Sequence, residues 1–132
     1  MAVNTKLVID ASAVLARLLP DEKTPREIKN IFRQYQSEKL VLVAPNLLPY
    51  EVGNALRSLT LSHRIPTDLA PALFEDFLNL RISYVEIDFN RVLSLAISAK
   101  ISVYDASYLF LARKLNANLL TLDKRLLKLQ QA

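Results

Sequence analysis

Four short apolar runs, KLVID at 6–10, LVLVA at 40–44, SYVEI at 83–87 and NLLTL at 118–122, alternate with longer segments whose apolar residues recur at helical spacing. Runs as continuously apolar as LVLVA must be covered on both faces. The alternation therefore predicts an α/β architecture, a mostly parallel sheet of four or five strands with helices on either side. The first run closes on Asp10 and feeds a helical pattern through Ala16 that stops before Pro20. In Thr24-Pro25-Arg26-Glu27 a capping threonine, a proline at the first helical position and a glutamate three after the cap predict a helix over 25–38. Further helices are expected after Pro49, from Thr67 and Asp68 to Leu80, from an Asp88 cap to Ala99, over 103–115, and in the closing KRLLKL.

The 132 residues, 52% of them hydrophobic, suffice for one buried core, and no linker, repeat or composition break divides them. A single domain over 1–132 is expected. The apolar stretches fall short of a membrane span, and Asp10, Ser12 and Arg17 interrupt the run from Leu7 to Leu19 that a secretory signal would need. The expectation is a soluble, cytoplasmic protein with no membrane partner. Residues the chain lacks narrow the chemistry further. Without cysteine there are no thiolate metal sites, and with Gly53 as the only glycine no glycine-rich phosphate cradle can form. His63, the only histidine, lies in the polar stretch SHRIPTD and reads as a surface residue, which excludes multi-histidine zinc sites. A Ser-His-Asp triad would lack its elbow glycines. Carboxylates remain as the chemically capable groups.

Four of them, Asp10, Glu51, Asp105 and Asp123, are set inside apolar runs. Asp10 and Asp123 follow the first and fourth predicted strands, Asp105 falls in the first turn of a helix on its apolar side, and Glu51 lies on the border of an apolar stripe. In parallel sheets ligands bind beyond the carboxyl ends of the strands, where these four can converge. Capping a helix N-terminus, worth about 1 kcal/mol, is the ordinary explanation for Asp10, Asp105 and Asp123, but not for Glu51. Brought together without a counterion, each pair at ~6 Å and an effective dielectric of ~20 would cost about 3 kcal/mol. An all-oxygen donor set suits Mg2+ or Mn2+ better than zinc. The net charge of +4 alongside such a cluster points to a polyanionic partner, with Arg57, Arg64, Arg113, Lys114, Lys124, Arg125 and Lys128 as candidate phosphate contacts.

Asp10 with Ser12 after a hydrophobic strand, Glu51 followed by Asn54-Ala55-Leu56, Tyr104-Asp105-Ala106-Ser107-Tyr108 with Leu111-Ala112, and Leu120-Thr121-Leu122-Asp123-Lys124-Arg125-Leu126 together resemble the PIN domain. The likeness is closest to the single-domain VapC-like toxins and spans nearly the whole chain. It implies a Rossmann-like three-layer sandwich and a Mg2+- or Mn2+-dependent endoribonuclease, dimeric and neutralised by a small antitoxin protein. By the resemblance, Asp10 and Asp105 would be the principal metal ligands, with Glu51 and Asp123 ligating or orienting waters. Ser12 and Thr121 would aim the carboxylates; among the basic residues singled out by charge, Arg57, Arg113, Lys124 and Arg125 are the expected RNA contacts. One departure stands before Asp105, where Lys100-Ile101-Ser102-Val103 replaces the glycine-containing turn of the commonest pattern.

Two competing readings remain. A response-regulator receiver would want adjacent acids after the first strand, where this chain has one, and would leave Glu51 without a role. A PIN-like RNA- or protein-binding module with little or no catalysis would carry the same acids. The apolar fraction also points to homodimerisation, for which Phe32, Leu47, Leu48, Phe74, Phe77 and Leu78 are expected to line a groove.

Overall fold

A computed structural model describes residues 5–21 and 23–131. Strands β1 (Thr5–Ile9), β2 (Leu40–Pro45), β3 (Ser83–Val85) and β4 (Asn118–Leu120) form one sheet in the order β3-β2-β1-β4. Every pairing is parallel, with Leu7 opposite Leu42 and Asn118, and Val43 opposite Ser83. Val8, Ile9, Leu42 and Ala44 are wholly buried although neighbours along a strand face opposite ways, so both sides of the sheet are covered. Each large aliphatic side chain buried this way stabilises by about 1.5–3 kcal/mol.

Among the described residues seven helices supply the cover: α1 (Ala11–Leu18), α2 (Arg26–Gln36), α3 (Leu48–Leu61), α4 (Leu69–Leu78), α5 (Phe89–Ala99), α6 (Val103–Leu115) and α7 (Lys124–Gln131). Helix α2 packs on β2, while α6, with six buried residues, lies across β1, β2 and β4. Helices α3 and α4 form a hairpin against α1, and a Cβ at Gly53 would meet the Phe74 ring at 3.4 Å, an ordinary van der Waals contact. Among the described residues no single helix is long and apolar enough to cross a membrane.

Several elements differ from the sequence expectation. Pro25 is the cap residue of α2 and offers no side-chain hydrogen bond, because the Thr24 hydroxyl is taken by the backbone N–H of Asp21 in the preceding turn. Strands β3 and β4 are three residues each, and no fifth strand is present among the described residues. The expected groove does not exist as drawn: Phe32, Leu48 and Phe77 belong to the central core, and Leu47 and Phe74 pack against it. The stripe they share on each helix faces inward, and only Leu78 of the six is exposed.

Topology fixes where a site can form. The chain steps outward from β1 to β2 to β3, then crosses back through α5 and α6 to lay β4 on the other side of β1. The direction of winding changes between β1 and β4, leaving a crevice beyond their carboxyl ends. Residues 10–12 and 121–123 stand there.

Candidate active site

Asp10 is the residue that the crevice holds most tightly. Its backbone N–H continues the β1–β4 ladder to the Leu120 carbonyl at 3.2 Å, and its side chain then caps α1. Oδ1 accepts from the Ala13 N–H at 3.1 Å and from the Ser12 hydroxyl at 2.6 Å, while Oδ2 accepts from the Thr121 hydroxyl. Ser12 Oγ in turn accepts from the Leu122 N–H, and Thr121 Oγ1 from the Asp123 N–H. Each hydroxyl has committed its one proton to Asp10, so the 3.3 Å approach between Ser12 and Thr121 has no proton to share. Burial pushes the Asp10 carboxyl above its ordinary pKa; the three donors oppose that, and the charge of Asp105 adds to it.

The other three acids surround it from separate elements. Glu51, half-buried in the first turn of α3, accepts from the Tyr108 hydroxyl at 2.6 Å. Its pKa is raised chiefly by burial and further by Asp10 and Asp105, with Tyr108 acting in the opposite direction. Asp105 lies in the first turn of α6, where Ser102, not the aspartate, caps the helix by accepting the Asp105 N–H at 3.0 Å. Burial and then the charge of Asp123 raise the Asp105 carboxyl, against Ser102 and Arg125. Asp123 caps α7, accepting from the N–H groups of Arg125 and Leu126. The structure thus brings all four acids to one rim, with Asp105 electrostatically linked to each of the others.

Asp10, Glu51 and Asp123 nevertheless each accept from protein donors, while the Asp105 carboxylate lies 4.0 Å from the Arg125 guanidinium. Among the described residues no three of them are placed to ligate one ion together. The donor chemistry does fit a hard divalent cation: carboxylate and hydroxyl oxygens only, mutually repulsive, with hydroxyls fixing the orientation of Asp10.

Of the candidate RNA contacts, Arg125 is nearest the acids, its guanidinium 4.0 Å from Asp105, with Lys124 beside it in the first turn of α7. Arg113 is elsewhere: eight residues, about 12 Å, along α6 from Asp105, it donates to the Leu129 carbonyl and anchors α7. Arg57 is exposed on α3, about 9 Å along the helix from Glu51. A cavity of about 420 Å³ opens not over the acids but at the carboxyl ends of β2 and β3, lined by Pro45, Leu47, Val85, Ile87, Phe89 and Ser107 among others. Its walls are mainly apolar, so the chemistry stays with the acids.

Known proteins share this fold. The PIN domain family model matches residues 7–131. The chain belongs to the PIN domain family. This PIN domain is 34% identical to Ribonuclease VapC3 of Pyrobaculum aerophilum over 126 residues, covering 92% of each chain. It is 33% identical to Ribonuclease VapC9 of Mycobacterium tuberculosis over 128 residues, 96% of this chain and 92% of that one. The crystal structure of PAE2754 from Pyrobaculum aerophilum superposes with a TM-score of 0.77 at 24% identity, over 96% of this chain and 81% of that one. Mycobacterium tuberculosis VapC20, described as a toxin that cleaves the sarcin-ricin loop, gives a TM-score of 0.64 at 16% identity, covering 91% and 92% of the two chains. The fold is that of these PIN proteins, and the chain is VapC-like.

Sequence reasoning gave Tyr108 no role, because it falls on the buried stripe of α6 and its hydroxyl meets a partner 57 residues away. The available signal was its position three residues after Asp105, on the same side of the helix.

Proposed function

We propose that this PIN domain is an endoribonuclease that hydrolyses RNA phosphodiester bonds at a Mg2+ or Mn2+ site held by Asp10, Glu51, Asp105 and Asp123, acting as the toxin of a toxin–antitoxin pair. The observation that carries the reading is the buried Asp10 carboxylate at the β1–β4 switch point, electrostatically linked to Asp105 and Glu51. Whole-length relatives named as VapC ribonucleases support it.

Asp10 and Asp105 would hold the ion, with Glu51 and Asp123 completing the oxygen set. When bound, the ion supplies the positive charge that offsets the carboxylates and polarises a phosphoryl oxygen. Ser12 and Thr121 fix both Asp10 oxygens, so the ligand does not have to be oriented at the moment of binding. Glu51, whose affinity for protons is raised, is suited to accept a proton from an attacking water. Lys124 and Arg125, beside the rim, would hold the RNA backbone. Arg113, committed to the Leu129 carbonyl, is a poorer candidate than the sequence implied. The partners are RNA, a small antitoxin protein and a second copy of the chain.

One observation favours a second reading, an RNA- or protein-binding module with little catalysis: the acids are engaged by protein donors rather than gathered into a ligand set. A single experiment separates the two. Labelled mixed-sequence RNA is incubated with the protein and Mg2+, Mn2+ or EDTA, beside Asp10→Asn purified identically. The nuclease reading expects metal-dependent cutting reduced at least about 100-fold in the variant. Folded wild-type protein free of inhibitor that cuts nothing with either metal would favour the binding module, or an RNA target so narrow that the mixture lacks it.

A further inference from the structure

We propose that Tyr108 is a positioning residue, whose buried hydroxyl holds Oε1 of Glu51 and so sets the direction in which the carboxylate faces the site. The inference rests on the nuclease reading above and assigns Glu51 a narrower part in it.

Tyr108 is 1% exposed, on α6 one turn after Asp105, and its ring is packed in the core. A buried phenol has two torsions, both fixed here by packing, so its oxygen is a fixed point. A glutamate has three torsions and would otherwise sample several positions. The 2.6 Å hydrogen bond joins the two side chains, and among the described residues neither has another side-chain partner. A carboxylate only accepts, so the phenol hydroxyl donates and Glu51 accepts.

Two consequences follow. Oε1 keeps a lone pair, but the bond fixes the direction of the Glu51 carboxylate, which therefore meets an ion or a water in one orientation rather than several. The bond also ties α3 to α6, the two helices that carry Glu51 and Asp105, and so fixes the spacing of those acids from opposite sides of the rim. A hydroxyl that merely satisfied the core would affect stability and leave ion binding alone.

The test is Mn2+ titration of RNA-free protein followed by electron paramagnetic resonance, for wild type, Tyr108→Phe, Glu51→Gln and the double variant. Tyr108→Phe keeps the ring. It is expected to weaken Mn2+ binding about 10-fold, within the range for residues that orient metal ligands, and to lower kcat with KM for RNA unchanged. If Tyr108 acts through Glu51, the double variant binds no more weakly than Glu51→Gln alone. Wild-type affinity in Tyr108→Phe, or losses that add in the double variant, would overturn the inference. Should Tyr108→Phe fail to fold, Glu51→Asp serves: it keeps the charge, withdraws the carboxylate from the phenol and is expected to lose affinity similarly. Unchanged binding in Glu51→Asp likewise overturns the inference. Wild-type protein that takes up no Mn2+ would instead remove the nuclease reading and this one with it.

Discussion

Three carboxyls in this domain hold their protons more tightly than free carboxyls do, Asp10, Glu51 and Asp105, and in each case burial is the first cause. Raised acids act on stability in the direction opposite to salt-bridged ones. In the unfolded chain they lose their protons near 3.8 for aspartate and 4.5 for glutamate, whereas in the fold they keep them to higher pH. Between those values the native state binds more protons, so its stability falls as pH rises through the folded pKa and then levels off. Melting in EDTA should therefore give a higher Tm near pH 5 than near pH 7.5, a trend weakened in Asp10→Asn. Mn2+ should reverse it, since the ion binds the deprotonated acids and stabilises most at the upper end. A metal-free Tm that climbs steadily with pH would rule out this account of the three acids. Capping and site membership, which the sequence posed as alternatives, coexist in Asp10, which caps α1 while facing Asp105. Only Asp105 is relieved of capping, by Ser102. That distinction was not legible, because a serine three residues before an aspartate can serve as cap or as loop with equal ease.

The elements were legible where apolar periodicity is long and unbroken, as in α3 and α6, and blurred where side chains compete for the backbone. Thr24 spends its hydroxyl on the Asp21 turn, and β4 gives up Thr121 so that its hydroxyl can reach Asp10. The departure before Asp105 has a specific structural form. Lys100 ends α5 in the left-handed region at φ 57°, where its N–H still bonds the Ala96 carbonyl, and the chain turns by 108° into α6. Glycine is the usual occupant of such a position because it has no Cβ to clash with the carbonyl. Lys100→Gly should stabilise the fold by about 0.5–1 kcal/mol, the relief of strain exceeding the entropy lost by a freer unfolded chain. In a domain of this size that is a rise of about 2–4 °C in Tm. Asn116 ends α6 in the same region at φ 50°, but asparagine tolerates it, so Asn116→Gly should gain only a few tenths of a kcal/mol. Calorimetry of both variants checks the ordering, and a lower Tm for Lys100→Gly would show that the lysine has contacts that outweigh its backbone.

At the scale of the molecule, the groove expected for a dimer is not where the sequence argument placed it. It counted large apolar side chains on α2, α3 and α4, and most of those turn out to form the core. The surplus is on α5. Val92 and Ala96 bury one face of that helix, while Phe89, Leu93 and Ile97, at successive i+4 steps on another, are 76%, 50% and 70% exposed. A hydropathy pattern cannot separate two apolar stripes on one helix, and only the packed fold shows which has a partner. The exposed stripe carries no charge, so nothing in it selects a differently charged surface. Across a twofold axis it would meet its own image, as an isologous contact requires. We therefore place the proposed dimer interface on α5. Light scattering should find wild-type protein as a dimer and Ile97→Asp as a monomer, with the Tm of the variant little changed because Ile97 contributes little to the core. Leu78→Asp, an equally drastic change on α4, should leave the dimer intact. A wild-type monomer at working concentrations would remove the dimer altogether, and a dimer that survives Ile97→Asp but not Leu78→Asp would move the contact to the α3–α4 hairpin.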